Sequence, residues 1–110
     1  RIMMLELNLD NFDQEVVEAD GKVLVDWWGE SCTDCIALMP TVEKMAEKYG
    51  DDLKFTKFNT SQKGVRRFCI KHRILGLPVI SIYENGEKVD ELTKEEMDEA
   101  AIEAFVKKHI

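Results

Sequence analysis

Two cysteines separated by two residues, at the point where an apolar run gives way to a helical pattern, constrain this chain more than any other feature. The run Val23-Leu24-Val25-Asp26-Trp27-Trp28 reads as a buried strand, and Gly29-Glu30-Ser31-Cys32-Thr33-Asp34-Cys35 follows at once. Beyond it Cys35, Met39, Val42, Met45, Ala46 and Tyr49 recur at helical spacing and define one apolar face. Cys32 falls in the first helical turn, where unpaired backbone N–H groups and the positive end of the helix dipole favour a thiolate. One turn is also about the separation across which two cysteines close a disulfide without moving the backbone. A dithiol presented this way suits reversible dithiol–disulfide exchange.

The order of elements around that junction reads β-α-β-α-β-α-β-β-α. Leu5 to Asn8 alternates as a short strand, and Asp10 is expected to cap a helix whose inner face is Phe12, Val16 and Ala19. Gly50-Asp51-Asp52 ends the helix that carries the cysteines, and Pro40 within it should bend it. Leu53 to Asn59 reads as a third strand, and Gly64 to His72 as a short helix capped at Thr60 or Ser61. Pro78 opens the strand Val79 to Tyr83, and Asn85-Gly86 supplies the positive φ angles of a type I′ hairpin into Lys88 to Leu92. Thr93-Lys94-Glu95-Glu96 has the form of a capping box for a last helix with Met97, Ala101, Ala104 and Phe105 inside. The fold class is therefore α/β. Parallel β-α-β units followed by an antiparallel hairpin form a mixed central sheet flanked by four helices, and residues 1–110 form one domain.

Composition narrows the partners. With 22 acidic against 15 basic residues the net charge is −7, which argues against nucleic acid and anionic membranes. No apolar stretch has the length of a bilayer span. Three cysteines fit an intracellular, cytoplasmic protein with one working pair better than a secreted disulfide scaffold. The opening Arg1-Ile2-Met3-Met4 has no signal-peptide pattern and leaves room for a processed start.

Asp26-Trp27-Trp28, Cys32-x-x-Cys35, Pro40, Lys57-Phe58-Asn59, Gly76-Leu77-Pro78 and Asn85-Gly86, in this order, resemble the thioredoxin family over nearly the whole chain. The resemblance implies the thioredoxin fold and a monomeric protein-disulfide reductase and electron carrier. A separate reductase of the thioredoxin-reductase type would recharge it, with protein disulfides as substrates and no cofactor beyond the two sulfurs. It makes Cys32 the attacking and Cys35 the resolving thiol, Asp26 the buried acid that assists proton transfer, and Lys57 its neighbour. Pro78 becomes the cis-proline facing the dithiol, and Trp28, Thr33, Asp34, Leu77, Pro78 and Val79 the walls of a shallow substrate groove. More narrowly, Leu38-Met39-Pro40, Lys57-Phe58-Asn59-Thr60 and Leu75 through Tyr83 look like the thioredoxins that serve glycine, sarcosine or betaine reductase in amino-acid-fermenting anaerobes. Three departures stand out. Ser31-Cys32-Thr33-Asp34-Cys35 replaces the usual Trp-Cys-Gly-Pro-Cys, Val79 replaces a threonine, and no glycine occurs between Lys88 and Leu92.

The residues have plainer readings too. An ionised carboxylate in an apolar strand is costly unless paired, so Asp26 is either a desolvated acid of raised pKa or a strand-end charge reaching solvent. Lys57 shares the parity of Phe55; its amine either partners Asp26 or reaches water at the end of a buried stem. With Ser31 as N-cap, Asp34 would stabilise the third helical position, and Glu30 and Asp34 would also raise the Cys32 thiol modestly. Trp28 is a wall of the site or a core residue. Cys32-x-x-Cys35 with Cys69-x-x-His72 has the composition of a Cys3His zinc set, against a packing role for Cys69 and a surface role for His72. A binding subunit with a vestigial dithiol is the remaining alternative.

Overall fold

A computed structural model describes residues 4–110; Arg1 to Met3, and with them most of the segment read as a processed start, lie outside the described residues. Five strands form one sheet in the order β1-β3-β2-β4-β5: β1 (Leu5–Leu7), β2 (Lys22–Trp28), β3 (Lys54–Asn59), β4 (Val79–Glu84) and β5 (Glu87–Thr93). Strand β3 runs parallel to β1 and β2, while β4 is antiparallel to β2 and β5. The most apolar strand is central, as its composition requires, because a strand flanked on both edges and covered on both faces meets no water. Asn85 and Gly86 have φ of 54° and 81°, the left-handed pair of a type I′ turn, and they join β4 to β5.

The pleat divides the core in two. On one face Leu24, Phe55, Ile80, Ile82 and Leu92 meet Val42, Met45 and Ala46 of α1 (Thr33–Tyr49) and Ile102, Phe105 and Val106 of α3 (Glu99–Lys107). On the other, Val23, Val25, Trp27, Phe58 and Tyr83 meet Val16 of a π-helical turn (Asp13–Val17), Phe12 just before that turn, and Cys69 of α2 (Arg66–Lys71). The predicted mixed sheet is what the chain builds, and helix α1 continues through Pro40.

The helix ends differ from expectation. Asp10 caps nothing: the Asn8 side chain accepts from the N–H groups of Asp10 and Asn11, at 2.8 and 2.9 Å, and the turn beyond starts only at Asp13. Thr60 and Ser61 do not cap α2, whose first turn has no side-chain cap. The box at Thr93 closes only a 3-10 turn (Lys94–Glu96), where the Thr93 hydroxyl meets the Glu96 carboxylate at 3.3 Å. The cap of α3 is Asp98, which accepts from the Ala101 N–H at 2.7 Å. That later start turns Ile102, Phe105 and Val106 inward, leaves Ala104 exposed, and only partly buries Met97 against the core.

Candidate dithiol active site

Strand β2 ends at Trp28, and α1 begins five residues later. The intervening loop is braced from the end of β3. The Thr60 N–H and hydroxyl both donate to the Trp28 carbonyl, at 2.7 and 3.0 Å. The Glu30 N–H donates to Ser61 Oγ at 2.9 Å, and the Asn59 amide donates to the Glu30 carboxylate at 2.8 Å. Gly29 fits closely here: a Cβ would stand 3.2 Å from both Leu77 Cδ1 and Thr60 Oγ1, so a larger residue would have to push those side chains aside. The polar cluster Asn59-Thr60-Ser61 is visible in the sequence, but nothing local reveals that its bonds run to the dithiol loop.

Cys32 and Cys35 are joined by a disulfide, with Cα atoms 5.2 Å apart. The N-cap of α1 is Cys32 and not Ser31: its extended backbone precedes the helix, and its sulfur accepts from the Cys35 N–H at 3.1 Å. A sulfur that already receives a helix N-terminal N–H is stabilised as an anion when the disulfide opens. Cys32 is half-exposed and Cys35 only 2 % exposed, so the two thiols differ in access as an attacking and a resolving sulfur should. Asp34 is consequently the second residue of α1, one position earlier than a Ser31 cap implies. Its carboxylate pairs with Lys94 at 3.3 Å, and both side chains are 59 % exposed.

Asp26 is buried at 4 % exposure on the α1 side of the sheet, which removes the solvent-reaching alternative. Burial pushes its carboxyl up to about 7; the Lys57 charge opposes this and the Glu43 carboxylate on α1 adds to it. Lys57 stands beside Asp26 in register on β3, yet its Nζ makes its ion pair with Glu6, at 3.5 Å. Its side chain is 18 % exposed, so the stem is buried and the head reaches the sheet edge. Trp28, half-buried, lines a cleft with Lys57, Glu6 and Asn59, whereas its neighbour Trp27 is the one in the core.

Leu77–Pro78 is a cis peptide bond. Pro78 lines two adjoining grooves, one with Leu75, Leu77, Val79, Thr93 and Lys94, the other with Asp34, Ala37, Leu38, Lys94 and Met97. The Asp34–Lys94 pair thus stands at the lip between helix α1 and the cis-proline segment. Thr33 is exposed at the first position of α1.

Cys69 and His72 belong elsewhere. Cys69 packs at 8 % exposure in the second core cluster, and burial raises its thiol. His72 is no surface histidine: it sits among Phe12, Trp27 and Phe68, with Nδ1 2.8 Å from the Tyr83 hydroxyl. The zinc reading is corrected accordingly, since Cys32 and Cys35 are bonded to each other and His72 is engaged with Tyr83. Among the described residues no three His, Cys, Asp or Glu side chains converge as a metal site.

Comparison with known proteins adds an independent line. The family model described as Thioredoxin matches residues 3–108. The chain is 50 % identical to the thioredoxin of Acetoanaerobium sticklandii over 107 residues, covering 97 % of this chain and all of that one. It is 45 % identical to the thioredoxin of Peptoclostridium acidaminophilum, covering 98 % and 96 %, and 34 % identical to thioredoxin 1 of Synechococcus elongatus, covering 72 % of each.

Proposed function

Because the chain belongs to the thioredoxin family and is a thiol–disulfide oxidoreductase, a redox carrier that reduces protein disulfides, we propose a division of labour among its site residues. The Cys32 thiolate attacks one sulfur of a substrate disulfide. A Cys32–substrate mixed disulfide forms, and the other substrate sulfur leaves as a thiolate. Cys35 then passes its proton to Asp26 and attacks Cys32 Sγ. That expels the second substrate sulfur and leaves the Cys32–Cys35 disulfide, two electrons having gone to the substrate. Lys57 moderates Asp26. Trp28, Thr33, Asp34, Leu77, Pro78 and Val79 hold an extended substrate segment, with backbone hydrogen bonds near Pro78 supplying orientation.

The observation that carries this reading is the disulfide whose outer sulfur caps α1 while its inner sulfur is shielded. The cycle needs no cofactor, since the electrons reside on the two sulfurs. Among the described residues no helix is long and apolar enough to cross a membrane. Residues 1–110 act as one domain, a monomer in the cytoplasm. A reductase of the thioredoxin-reductase type returns the electrons, and the resemblance of Leu75 through Tyr83 supports an amino-acid reductase system as a target. Pre-reduced protein should reduce insulin disulfides, and Cys32→Ser should abolish this; activity surviving the substitution would leave the dithiol vestigial. Cys35→Ser should trap the target on Cys32 as a mixed disulfide identifiable by mass spectrometry. Recovery of only indiscriminate partners would remove the amino-acid reductase assignment.

A further inference from the structure

Glu6, Lys57 and Asp26 form one row across β1, β3 and β2, each paired in register with the next. Residues in register on parallel strands share a face, so the three side chains rise side by side at a strand spacing of about 4.8 Å. Lys57, in the middle, has a carboxylate on either hand, and it takes the one at the sheet edge, Glu6 Oε1, at 3.5 Å. Glu6 and Lys57 line a common cleft with Trp28 and Asn59, and Asp26 lies behind them, closed from solvent. The charges that act on Asp26 are therefore Lys57 from β3 and Glu43 from α1, with Glu6 one strand further off.

We propose that Glu6 is a positioning residue of the redox site: by holding the Lys57 ammonium at the sheet edge, it withholds the nearest positive charge from Asp26 and so sets how tightly Asp26 keeps a proton. A buried carboxylate with an ammonium drawn fully against it would be a weak base, poorly suited to take a thiol proton. A carboxylate whose neighbouring cation is diverted by a rival acid stays basic. Glu6 is 76 % exposed, so its own charge is screened by water, and its leverage on Asp26 runs through Lys57. This inference rests on Asp26 as the acceptor of the Cys35 proton, and the test separates the two.

The Asp26 carboxyl is followed by carbon NMR across the pH range in the disulfide form, where neither active-site cysteine titrates. The proteins compared are the wild type, Glu6→Gln, Lys57→Met and the double variant. Glu6→Gln should move the Asp26 midpoint to acid by roughly half a pH unit. The shift should shrink in high salt and largely vanish in the Lys57→Met background. No shift, or an equal shift without Lys57, overturns the inference. The pH profile of insulin reduction is read in parallel. A profile that moves with the midpoint supports both statements. A midpoint that moves under a fixed profile supports the positioning by Glu6 and removes Asp26 from the proton path.

Discussion

Asp26 and Trp27 are consecutive residues on opposite faces of the same strand, and the two environments treat buried polarity in opposite ways. Behind Trp27 the polar atoms are tied to one another: the indole N–H donates to Ser81 Oγ at 3.1 Å, and His72 meets the Tyr83 hydroxyl at 2.8 Å. Phe12, Phe58 and Phe68 pack around them, with Phe12 in ring contact with Trp27, His72 and Tyr83. On the side of Asp26 lies the apolar cluster of α1 and α3, and the charges that act on the carboxyl are those of Lys57 and Glu43. Paired polar groups fix their neighbours and hold the fold to one arrangement. A desolvated acid left to through-space charges opposes stability and keeps a transferable proton. One face pairs its buried polar groups; the other holds a buried acid whose proton is available to the proposed chemistry.

The largest effect that can test this division comes from the aromatic side. Phe12→Ala deletes a ring that is 1 % exposed and should cost about 3–5 kcal/mol in urea unfolding. Disulfide reduction per folded molecule should keep its pH profile, and a displaced profile would break the separation of roles. Next is Asp26→Asn. The native carboxyl titrates at about 7 against an ordinary 3.8, so its contribution is fully present below 3.8 and lost as pH rises through about 7. The variant should therefore gain up to ~4 kcal/mol at pH 8 and nothing at pH 4. His72 runs the other way: burial, with Lys71 and Lys88, lowers it from 6.5 to about 4 against the pull of Asp13. Its neutral form is the native one, so stability is complete above 6.5 and falls as pH drops toward about 4. Because the ring is half-buried, solvent access discounts the effect to about 1 kcal/mol. The two faces thus oppose each other in one pH window. His72→Gln, which can still bond Tyr83, should make stability fall more steeply with rising pH than in the wild type. A slope left unchanged would mean that His72 is solvated in the native state.

What the sequence made legible is the part governed by repeat and by local backbone chemistry. Strand parity put Lys57 on the same face as Phe55, and Asn85-Gly86 fixed the hairpin because only residues tolerant of positive φ fit there. The cysteine spacing announced the disulfide. Hydrogen-bond partners were the illegible part. Asp10, Thr60, Ser61 and Thr93 are all competent caps, but a side-chain oxygen binds whichever N–H or carbonyl the tertiary fold delivers. Thr60 and Ser61 were delivered to the dithiol loop by the end of β3. In the same way Lys57 had the predicted orientation and a different acid, since nothing in the spacing places β1 beside β3 and Glu6 within its reach.

The smallest effect comes from the charge nearest the sulfurs, and its size completes the contrast. Asp34 lies in the first turn of α1, closer in sequence to Cys32 than Asp26 is, yet it and Lys94 are each 59 % exposed. Water screens such a pair, so Lys94→Ala should change stability by less than about 0.5 kcal/mol. It would also free the Asp34 carboxylate to act on the Cys32 sulfur without a neutralising ammonium. Alkylation of the reduced protein followed against pH should then place the Cys32 thiol slightly higher, by a few tenths of a unit, and added salt should erase the difference. If Lys94→Ala instead moved that titration as far as Asp26→Asn moves unfolding with pH, exposure would not be what separates the two carboxylates. The lip of the groove would then have to exclude water as thoroughly as the core does.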